Sequence, residues 1–407
     1  MPLPAPKVAF VAGCTGVSGN AIAEYLIRLP TEEWSRIIVS SRSPLKNYWQ
    51  DPRVEFLQLD FLDPVATLMQ KMQQVCKDVT HAYFAAYVHA DGWEKPRDLN
   101  VLLFENFLTA IDTIAGESLQ RVCLQTGGKH YGAHLGPTET PLYEELGRFD
   151  DQGTNFYYMQ EDFLFKLHAT RKWSWNVIQP NGIIGFTPGK NGMSEAITLA
   201  LYMIVSKELG EIPKFPGNKY FYNSVDDQSY AKSIADMSIW ATTHEHTKNE
   251  SFIHTNGDMI VWRYFFPKIG KYFGLDIPDQ TEWEVLGEDQ KYAHSFRMED
   301  WAKDKEVVWK NMCEKYGGNP EAFNWGTWQF FDWCLGKGWP TVSSVSKARK
   351  FGWKRYDDTY QTWVETFRTF ENAGVLPRNY RQQTSSGVNG VEGEAKPYQR
   401  PPRRYYY

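Results

Sequence analysis

The sequence predicts an α/β protein built on a doubly wound parallel sheet, followed by a mainly helical C-terminal part. Three observations support this prediction: short apolar runs recur, they alternate with helical segments, and a glycine-rich turn follows the first run. Strands that alternate with helices are typical of a parallel sheet covered on both faces. At 407 residues, the chain is long enough for such a sheet and a second lobe.

The first strand and helix enclose the glycine-rich turn. Val8–Ala12 is an apolar run, and Asn20–Leu29 carries apolar residues at helical spacing. Between them, Gly13, Gly16 and Gly19 form a G-x-x-G-x-x-G pattern. Glycine allows a tight turn and close approach to a phosphate, while a helix N-terminus offers free N–H groups. The unit therefore predicts a Rossmann-type pyrophosphate site, with an ordinary glycine-rich loop as the alternative.

The end of the second strand bears on the choice of nucleotide. Arg36–Ser41 is predicted to be a buried strand, and Arg42 follows it directly. NAD-binding folds usually place Asp or Glu here, on the ribose 2′-hydroxyl, and this segment has no acidic residue. Because a guanidinium suits a 2′-phosphate, we expect NADP, with a solvated surface arginine as the alternative.

Two further strands complete the first half of the predicted sheet. Val54–Leu59 is the third, and Asp60 at its end is expected near the adenine, although Asp also caps helices. A helix is predicted over Pro64–Val75. Thr80–Val88 is the fourth strand, where the small Ala85 would let a cofactor approach.

The second half of the sheet repeats the alternation. Leu99–Ala115 is predicted to be a helix and Arg121–Thr126 the fifth strand. A helix over residues 150–168 and a sixth strand over Trp175–Gln179 follow. Ligands of such sheets bind at the carboxyl ends of the strands, where all of these motifs lie.

Beyond Pro188 the alternation breaks, which suggests a division of the chain. We expect a nucleotide-binding domain over residues 1–188, to which residues 223–257 return. Residues 189–222 and 258–375 would form a substrate-binding lobe. Residues 381–407, which contain few aliphatic side chains, are predicted to be a flexible tail.

Three segments of this half have individual predictions. Asn223–Trp240 is predicted to be helical, and Ser251–Ile253 to be a further strand. The apolar run Ala196–Val205 is too short to span a bilayer and is expected to pack as a core helix.

Charge and cysteine content narrow the classes of function. The net charge of −5, with mixed signs, gives no support for binding nucleic acid or an acidic membrane. The five cysteines are scattered and never form C-x-x-C, which argues against a disulfide framework or zinc site. With an N-terminal segment that runs straight into a strand, we expect a cytoplasmic protein without a metal.

The candidate catalytic residues lie in two motifs. Short-chain dehydrogenases carry Tyr-x-x-x-Lys, in which the lysine lowers the tyrosine pKa. Here Tyr157 is followed four positions later by Glu161, and a carboxylate cannot replace that lysine. Lys129, at the end of the fifth strand, is the cation expected near this tyrosine.

The two motifs resemble those of the progesterone 5β-reductase/iridoid synthase-like branch of the short-chain dehydrogenase/reductases. Thr126–Tyr131 reads TGGKHY and Asn155–Asp162 reads NFYYMQED, accompanied by GCTGVSG, SRSP and QPNGIIGFTP. The resemblance implies a Rossmann fold, NADPH as cofactor, and Lys129 and Tyr157 as catalytic residues. It also places Arg42 at the cofactor phosphate.

The same resemblance assigns the residues around the nicotinamide. Pro180 and Ile183 match the segment that lines the ring. Two positions depart from the family pattern: QPN stands where R-P-G is frequent, and Ser43 replaces a second arginine. The expected cofactor-binding residues are Gly13, Thr15, Gly16, Val17, Gly19, Ser41, Arg42, Asp60, Phe61, Ala85, Lys129, Tyr157, Pro180 and Ile183.

The resemblance implies reduction of an activated C=C bond in an enone or enal. NADPH would deliver hydride, and Tyr157, supported by Lys129, would stabilise the enolate oxygen. A ketone reductase and a non-catalytic NADP-binding regulatory protein are the alternatives. The expected partner is a small apolar enone or carbonyl compound, without nucleic acid or membrane, and a homodimer is left open.

Overall fold

The computed structural model of the chain describes residues 5–45, 49–89, 94–149, 151–283, 296–378 and 380. The predicted tail, residues 381–407, and Asp150 lie outside the described residues.

A seven-stranded parallel sheet lies at the centre of the described residues, in the order β10-β6-β5-β4-β1-β2-β3. Its strands are β1 (Lys7–Ala12), β2 (Trp34–Ser41), β3 (Val54–Gln58), β4 (His81–Phe84), β5 (Arg121–Gln125), β6 (Ser174–Pro180) and β10 (Glu250–His254). Two short pairs lie outside this sheet: β7 (Ile183–Ile184) with β9 (Ser229–Tyr230), and β8 (Val225–Asp226) with β11 (Ile260–Val261). The chain leaves β1 towards β2 and returns to β4 on its other side, so a crevice opens where the order reverses. The predicted fold class is confirmed.

Helices cover both faces of this sheet. Those on the sheet are α1 (Val17–Ile27), α2 (Val65–Met72), α3 (Glu94–Ala115), α4 (Phe156–His168) and α7 (Ala231–Thr243). The other described helices are α5 (Glu195–Leu209), α6 (Lys219–Asn223), α8 (Trp262–Tyr272), α9 (Met298–Ala302), α10 (Glu306–Tyr316), α11 (Trp328–Leu335), α12 (Ser346–Lys350) and α13 (Thr359–Asn372). Ala9 and Val11 of β1 pack with α1 and α7, whereas Phe10 packs with α2, α3 and α4. Burial on both faces explains why the strands read as continuous apolar runs.

A third apolar core lies among the C-terminal helices. It joins α5, α8, α10, α11 and α13 around the fully buried rings of Trp262, Trp309 and Trp363. The run Ala196–Val205 is buried within α5, in agreement with its predicted core position. The residue limits of the two predicted domains and of the tail stay a prediction.

The structure corrects the sequence prediction at three places. The helix predicted over residues 150–168 begins only at Phe156, because Asn155 is its N-cap. The fourth strand ends at Phe84, four residues before the predicted end, so Ala85 to Val88 leave the sheet. Asn223–Trp240 is not one helix: β8 and β9 precede α7, which starts at Ala231. The cause is a long-range contact, because the amide of Tyr230 donates to Asn256 Oδ1 at 2.7 Å.

Among the described residues, one segment, Lys95–Ser118, is long and apolar enough to cross a membrane by length and composition. Its apolar side packs against the sheet, where Phe104, Phe107 and Ile111 are fully buried in the core. The segment has the character of a core helix.

The close approach of α1 to the glycine turn predicts that a side chain at position 19 would lower the stability of the protein. A Cβ on Gly19 would stand 2.1 Å from the carbonyl oxygen of Gly13, so Gly19→Ala has to displace backbone. We expect it to lower the free energy of unfolding by about 1–3 kcal/mol, measured by chemical denaturation. Gly147→Ala, which meets no atom within 4 Å, is the control and should be nearly neutral. A Gly19→Ala variant as stable as this control would show that the contact does not constrain the turn.

Candidate active site

A cavity of about 490 Å³ opens at the carboxyl ends of the central strands. The sheet contributes the glycine turn and the ends of β2, β5 and β6, and the opposite wall comes from the C-terminal part, including α11. This is the crevice that the strand order creates between β1 and β4.

Twelve of the fourteen predicted cofactor-binding residues line this cavity: Gly13, Thr15, Gly16, Val17, Ser41, Arg42, Phe61, Ala85, Lys129, Tyr157, Pro180 and Ile183. Gly19 and Asp60 are not on its wall. Gly19 packs beneath Gly13, and the Asp60 carboxylate accepts a hydrogen bond from the amide of Leu62 at 3.0 Å. The structure thus gives both residues a role in shaping their turns.

The glycine turn is held between two strands. The amides of Gly13 and Cys14 both donate to the carbonyl oxygen of Ser40, at 2.9 and 3.0 Å. Gly13 has φ +83°, and a Cβ there would lie 2.8 Å from the carbonyl oxygen of Ala85. Because α1 begins at Val17 with no acidic residue in its first turn, its positive end faces the cavity uncompensated. This arrangement suits a pyrophosphate.

Unsatisfied polar atoms also point to a ligand in this cavity. Ser40 Oγ, Gln125 Oε1 and Thr126 Oγ1 are buried, have no hydrogen-bond partner among the described residues, and belong to residues that line the cavity. Buried polar atoms in proteins are nearly always hydrogen-bonded. A dinucleotide with its ribose and phosphate groups fits this set of partners.

Tyr157 and Lys129, the predicted catalytic pair, are on the wall of the same cavity. A Cβ on Gly127 would lie 3.4 Å from the Tyr157 hydroxyl, which places this hydroxyl over the end of β5. No hydrogen bond engages the Tyr157 hydroxyl within the described part of the chain. The Lys129 Nζ lies 5.7 Å from the centre of the Trp333 ring.

Burial changes the acidity of both groups. It raises the pKa of the Tyr157 hydroxyl, so that this side chain is protonated and a hydrogen-bond donor at neutral pH. Burial also lowers the pKa of Lys129, because the ammonium loses hydration.

Asn155 connects the two predicted catalytic motifs. It is the N-cap of α4, where its Oδ1 accepts from the Tyr157 amide at 3.1 Å. Its Nδ2 donates to the carbonyl oxygen of Lys129 at 2.8 Å. One amide side chain therefore sets the start of the helix that carries Tyr157 and the position of the turn that carries Lys129. Sequence reasoning missed this role, although Asn before a helix is a capping signal.

Glu161, at the position where a lysine is usual, is turned away from Tyr157. Its Oε1 lies 3.2 Å from His130 Nδ1, without the alignment of a hydrogen bond, and its Oε2 lies 3.3 Å from Arg148 Nη2. Tyr158, the second tyrosine, donates to the carbonyl oxygen of His130. The three residues His130, Tyr158 and Glu161 thus fix the turn that presents Lys129.

Gln179 stands where the family frequently has arginine. Its Oε1 accepts a hydrogen bond from the Tyr131 hydroxyl at 2.7 Å, so the last residue of TGGKHY is bound to the end of β6. At this departure from the family pattern, Gln179 therefore has a hydrogen-bond partner within the fold.

Several residues of the cavity wall were not predicted. Phe330 and Trp333 of α11 face the cavity with stacked rings 6.0 Å apart. The sequence feature that could have indicated them is the cluster of tryptophans in the C-terminal part. Composition alone favours core packing for such a cluster. Asp226 and Asp227 also line the cavity, but the sequence placed them in a helix.

Metal and disulfide chemistry find no support in the described ranges. No group of three or more His, Cys, Asp or Glu side chains is arranged there to hold a metal ion. All five cysteines are described, and all are free.

Comparison with known proteins identifies the family. The PRISE-like Rossmann-fold domain matches residues 9–324. Short chain dehydrogenase gsfE of Penicillium aethiopicum is 40% identical over 378 residues, covering 92% of this chain and 100% of that protein. The 3-oxo-Delta(4,5)-steroid 5-beta-reductase of Arabidopsis thaliana is 29% identical over 381 residues, covering 90% of this chain and 92% of that protein. The resemblance to this branch is confirmed.

Solved structures share the fold at much lower identity. The Bordetella bronchiseptica enzyme WbmH, crystallised in complex with NAD+, superposes with a TM-score of 0.60 at 14% identity. The match covers 91% of this chain and 100% of that one. At this identity the likeness shows the Rossmann architecture alone.

The double role of Asn155 can be tested with Asn155→Asp. Aspartate caps helices as well as asparagine does, but it cannot donate to the Lys129 carbonyl. We expect a loss of about 1–3 kcal/mol in the free energy of unfolding, because a partly buried acceptor loses its donor and faces a carboxylate. The reciprocal change Asp358→Asn, at the N-cap of α13, is the control and should be nearly neutral. Equal stability of the two variants would contradict the bond to Lys129.

Proposed function

The chain belongs to the PRISE-like Rossmann-fold family, and we propose that it is an NADPH-dependent reductase of C=C bonds conjugated to a carbonyl group. The observation that carries the proposal is that Tyr157 and Lys129 line one cavity with the glycine turn. The name of the Arabidopsis relative, a 3-oxo-Delta(4,5)-steroid 5-beta-reductase, describes reduction of such a conjugated bond in that protein.

The residues present fit a dinucleotide along the cavity. The glycine turn and the first amides of α1 would hold the pyrophosphate, and Pro180 and Ile183 would face the nicotinamide. Arg42 is exposed at the end of β2, beside Ser41, and would pair with a 2′-phosphate. With no acidic residue there to bond a free 2′-hydroxyl, this strand end favours NADPH over NADH.

The bound NADPH would supply hydride for the β-carbon of the substrate. The chain's own contribution is to stabilise the charge that develops on the carbonyl oxygen. The Tyr157 hydroxyl, unengaged within the described residues, would donate a hydrogen bond to that oxygen. The Lys129 ammonium would add favourable electrostatics, while Phe330 and Trp333 limit access of water.

The cofactor preference is tested with Arg42→Ala. Loss of a charge-assisted contact typically costs about 1.5–3 kcal/mol, so we expect NADPH binding to weaken roughly tenfold to 100-fold, with NADH almost unchanged. Because Arg42 is exposed, the effect should shrink at high salt. Arg28→Ala, at the exposed C-cap of α1, is the control. Equal weakening of both cofactors in a binding titration would refute the assignment.

The role of Tyr157 is tested with Tyr157→Phe. We expect kcat to fall by about 10²–10³, the typical loss for one oxyanion donor, with some turnover of strongly activated enals. The control Tyr25→Phe removes a hydroxyl on α1 that binds Asp236, and should leave kcat unchanged.

Deuteride-labelled NADPH distinguishes the reaction from ketone reduction. Conjugate reduction places the label on the β-carbon and leaves the carbonyl intact. Label on a carbinol carbon, together with an inactive Tyr157→Phe variant, would favour a carbonyl reductase instead. Absence of turnover with every enone, enal and ketone would favour a regulatory role.

A further inference from the structure

The proposed mechanism does not use Glu195, although this residue lines the same cavity. Glu195 is the first residue of α5, and only 5% of it is exposed. The residues that follow it, through Ser206, are all buried and mostly apolar. Glutamate is seldom buried to this extent without a partner that compensates it.

Two neighbouring acids on the cavity wall already have partners in the fold. Asp226 Oδ2 accepts from Trp262 Nε1 at 3.0 Å. Asp227 Oδ2 accepts from the Ser343 amide at 2.5 Å, and its Oδ1 lies 3.3 Å from Asn181 Nδ2. Because Asn181 follows Pro180, the acids lie directly beyond the segment expected at the nicotinamide.

Glu195 differs from these two residues. Its side-chain partner is the thiol of Cys334, a weak donor, and no ion pair involves it within the described ranges. Lys337 is the nearby cation that acts on it, but its Nζ donates to Thr341 Oγ1 at 2.8 Å. The Glu195 carboxyl therefore has hydrogen-bonding capacity that the fold leaves unused.

The electrostatics make this carboxyl a donor. Burial, with a smaller contribution from the charge of Asp226, raises the pKa of Glu195 to about 8, while Lys337 opposes the shift. The other titratable groups at this end of the cavity are Asp227 and Cys334, together with Lys129 from the opposite wall. A carboxyl with a pKa of about 8 is mostly protonated at pH 7 and can donate its hydrogen.

We propose that Glu195 is a specificity-determining residue that donates a hydrogen bond to a second oxygen atom of the substrate, remote from the carbonyl group held by Tyr157. The inference rests on the proposed reductase function and narrows its substrates to enones that carry another hydroxyl, ether or carbonyl oxygen. A few polar groups placed in an otherwise apolar pocket are what orients a small ligand.

The first test measures binding and is independent of turnover. Pairs of cyclic enones, identical except that one carries a methoxy group where the other has ethyl, are titrated onto the NADP+-loaded protein. The methoxy position is varied around the ring. We expect at least one position at which the wild type prefers the oxygenated partner by about tenfold to 100-fold.

Three variants test whether Glu195 causes this binding preference. Glu195→Met should remove it, whereas Glu195→Gln, whose amide still donates, should retain much of it. Glu208→Met, an exposed glutamate on the same helix, is the matched control. Because a buried acid is costly, Glu195→Met should also unfold at a temperature at least as high as the wild type.

A pH series checks the protonation state. The raised pKa means that the donor is present below about pH 8 and is lost above it, so the wild-type preference should decline above that pH. In Glu195→Gln the preference should not change over the same range. A decline in both would assign the titration to a neighbouring group and overturn the role of Glu195.

The outcomes separate the two proposals. A preference that persists in Glu195→Met, or that no methoxy position produces in the wild type, overturns the inference about Glu195. Failure of every enone to oxidise NADPH, while the Glu195-dependent binding preference is present, overturns the reductase function instead.

Discussion

The packing of Gly13 between α1 and the segment that follows β4 is the constraint on which the site depends. On one side its carbonyl contacts Gly19, and on the other its α-carbon contacts Ala85 and Ala86, with no room for a side chain. This double contact brings the N-terminus of α1 to the point where the strand order of the sheet reverses. The cavity, the unsatisfied polar atoms of β2 and β5, and the two motifs that carry Lys129 and Tyr157 all lie around that position.

In a second arrangement, the proposed catalytic cation and hydroxyl come from two separate segments, whereas the Tyr-x-x-x-Lys pattern places both on one helix. The cation comes from the turn after β5, and the hydroxyl comes from the first turn of α4. Asn155 holds the two together by bonding to both backbones. Because the lysine is on the turn after β5 and not at position 161, Glu161 can occupy that position and support the turn through His130 and Arg148. The two motifs thus form a single structural unit. Most of its residues position Lys129 and Tyr157.

Local patterns predicted most of the fold. Apolar runs and glycine spacing gave the six first strands of the sheet, and Ser251–Ile253 proved to be part of the edge strand β10. The motifs also indicated the part of the cavity wall that the sheet provides, but not Phe330 and Trp333 of α11. What they could not indicate depends on contacts between distant segments: the end of β4, the strands before α7, and the placement of Glu195 opposite Lys337. No local pattern distinguishes a buried glutamate at a cavity from one that begins a surface helix.

The connection of α7 and β10 to the sheet has a consequence for biosynthesis. α7 covers the face on which α1 lies, where Tyr25 bonds to Asp236 across more than two hundred residues. Until this helix has left the ribosome, Ala9 and Val11 have apolar neighbours on only part of that face, and β6 is an open edge that awaits β10. Nascent chains that stop before α7, which begins at Ala231, would therefore expose both an apolar surface and an unpaired strand, the two features that promote aggregation. The order of the elements along the chain makes the first strands of the sheet dependent on later segments during synthesis.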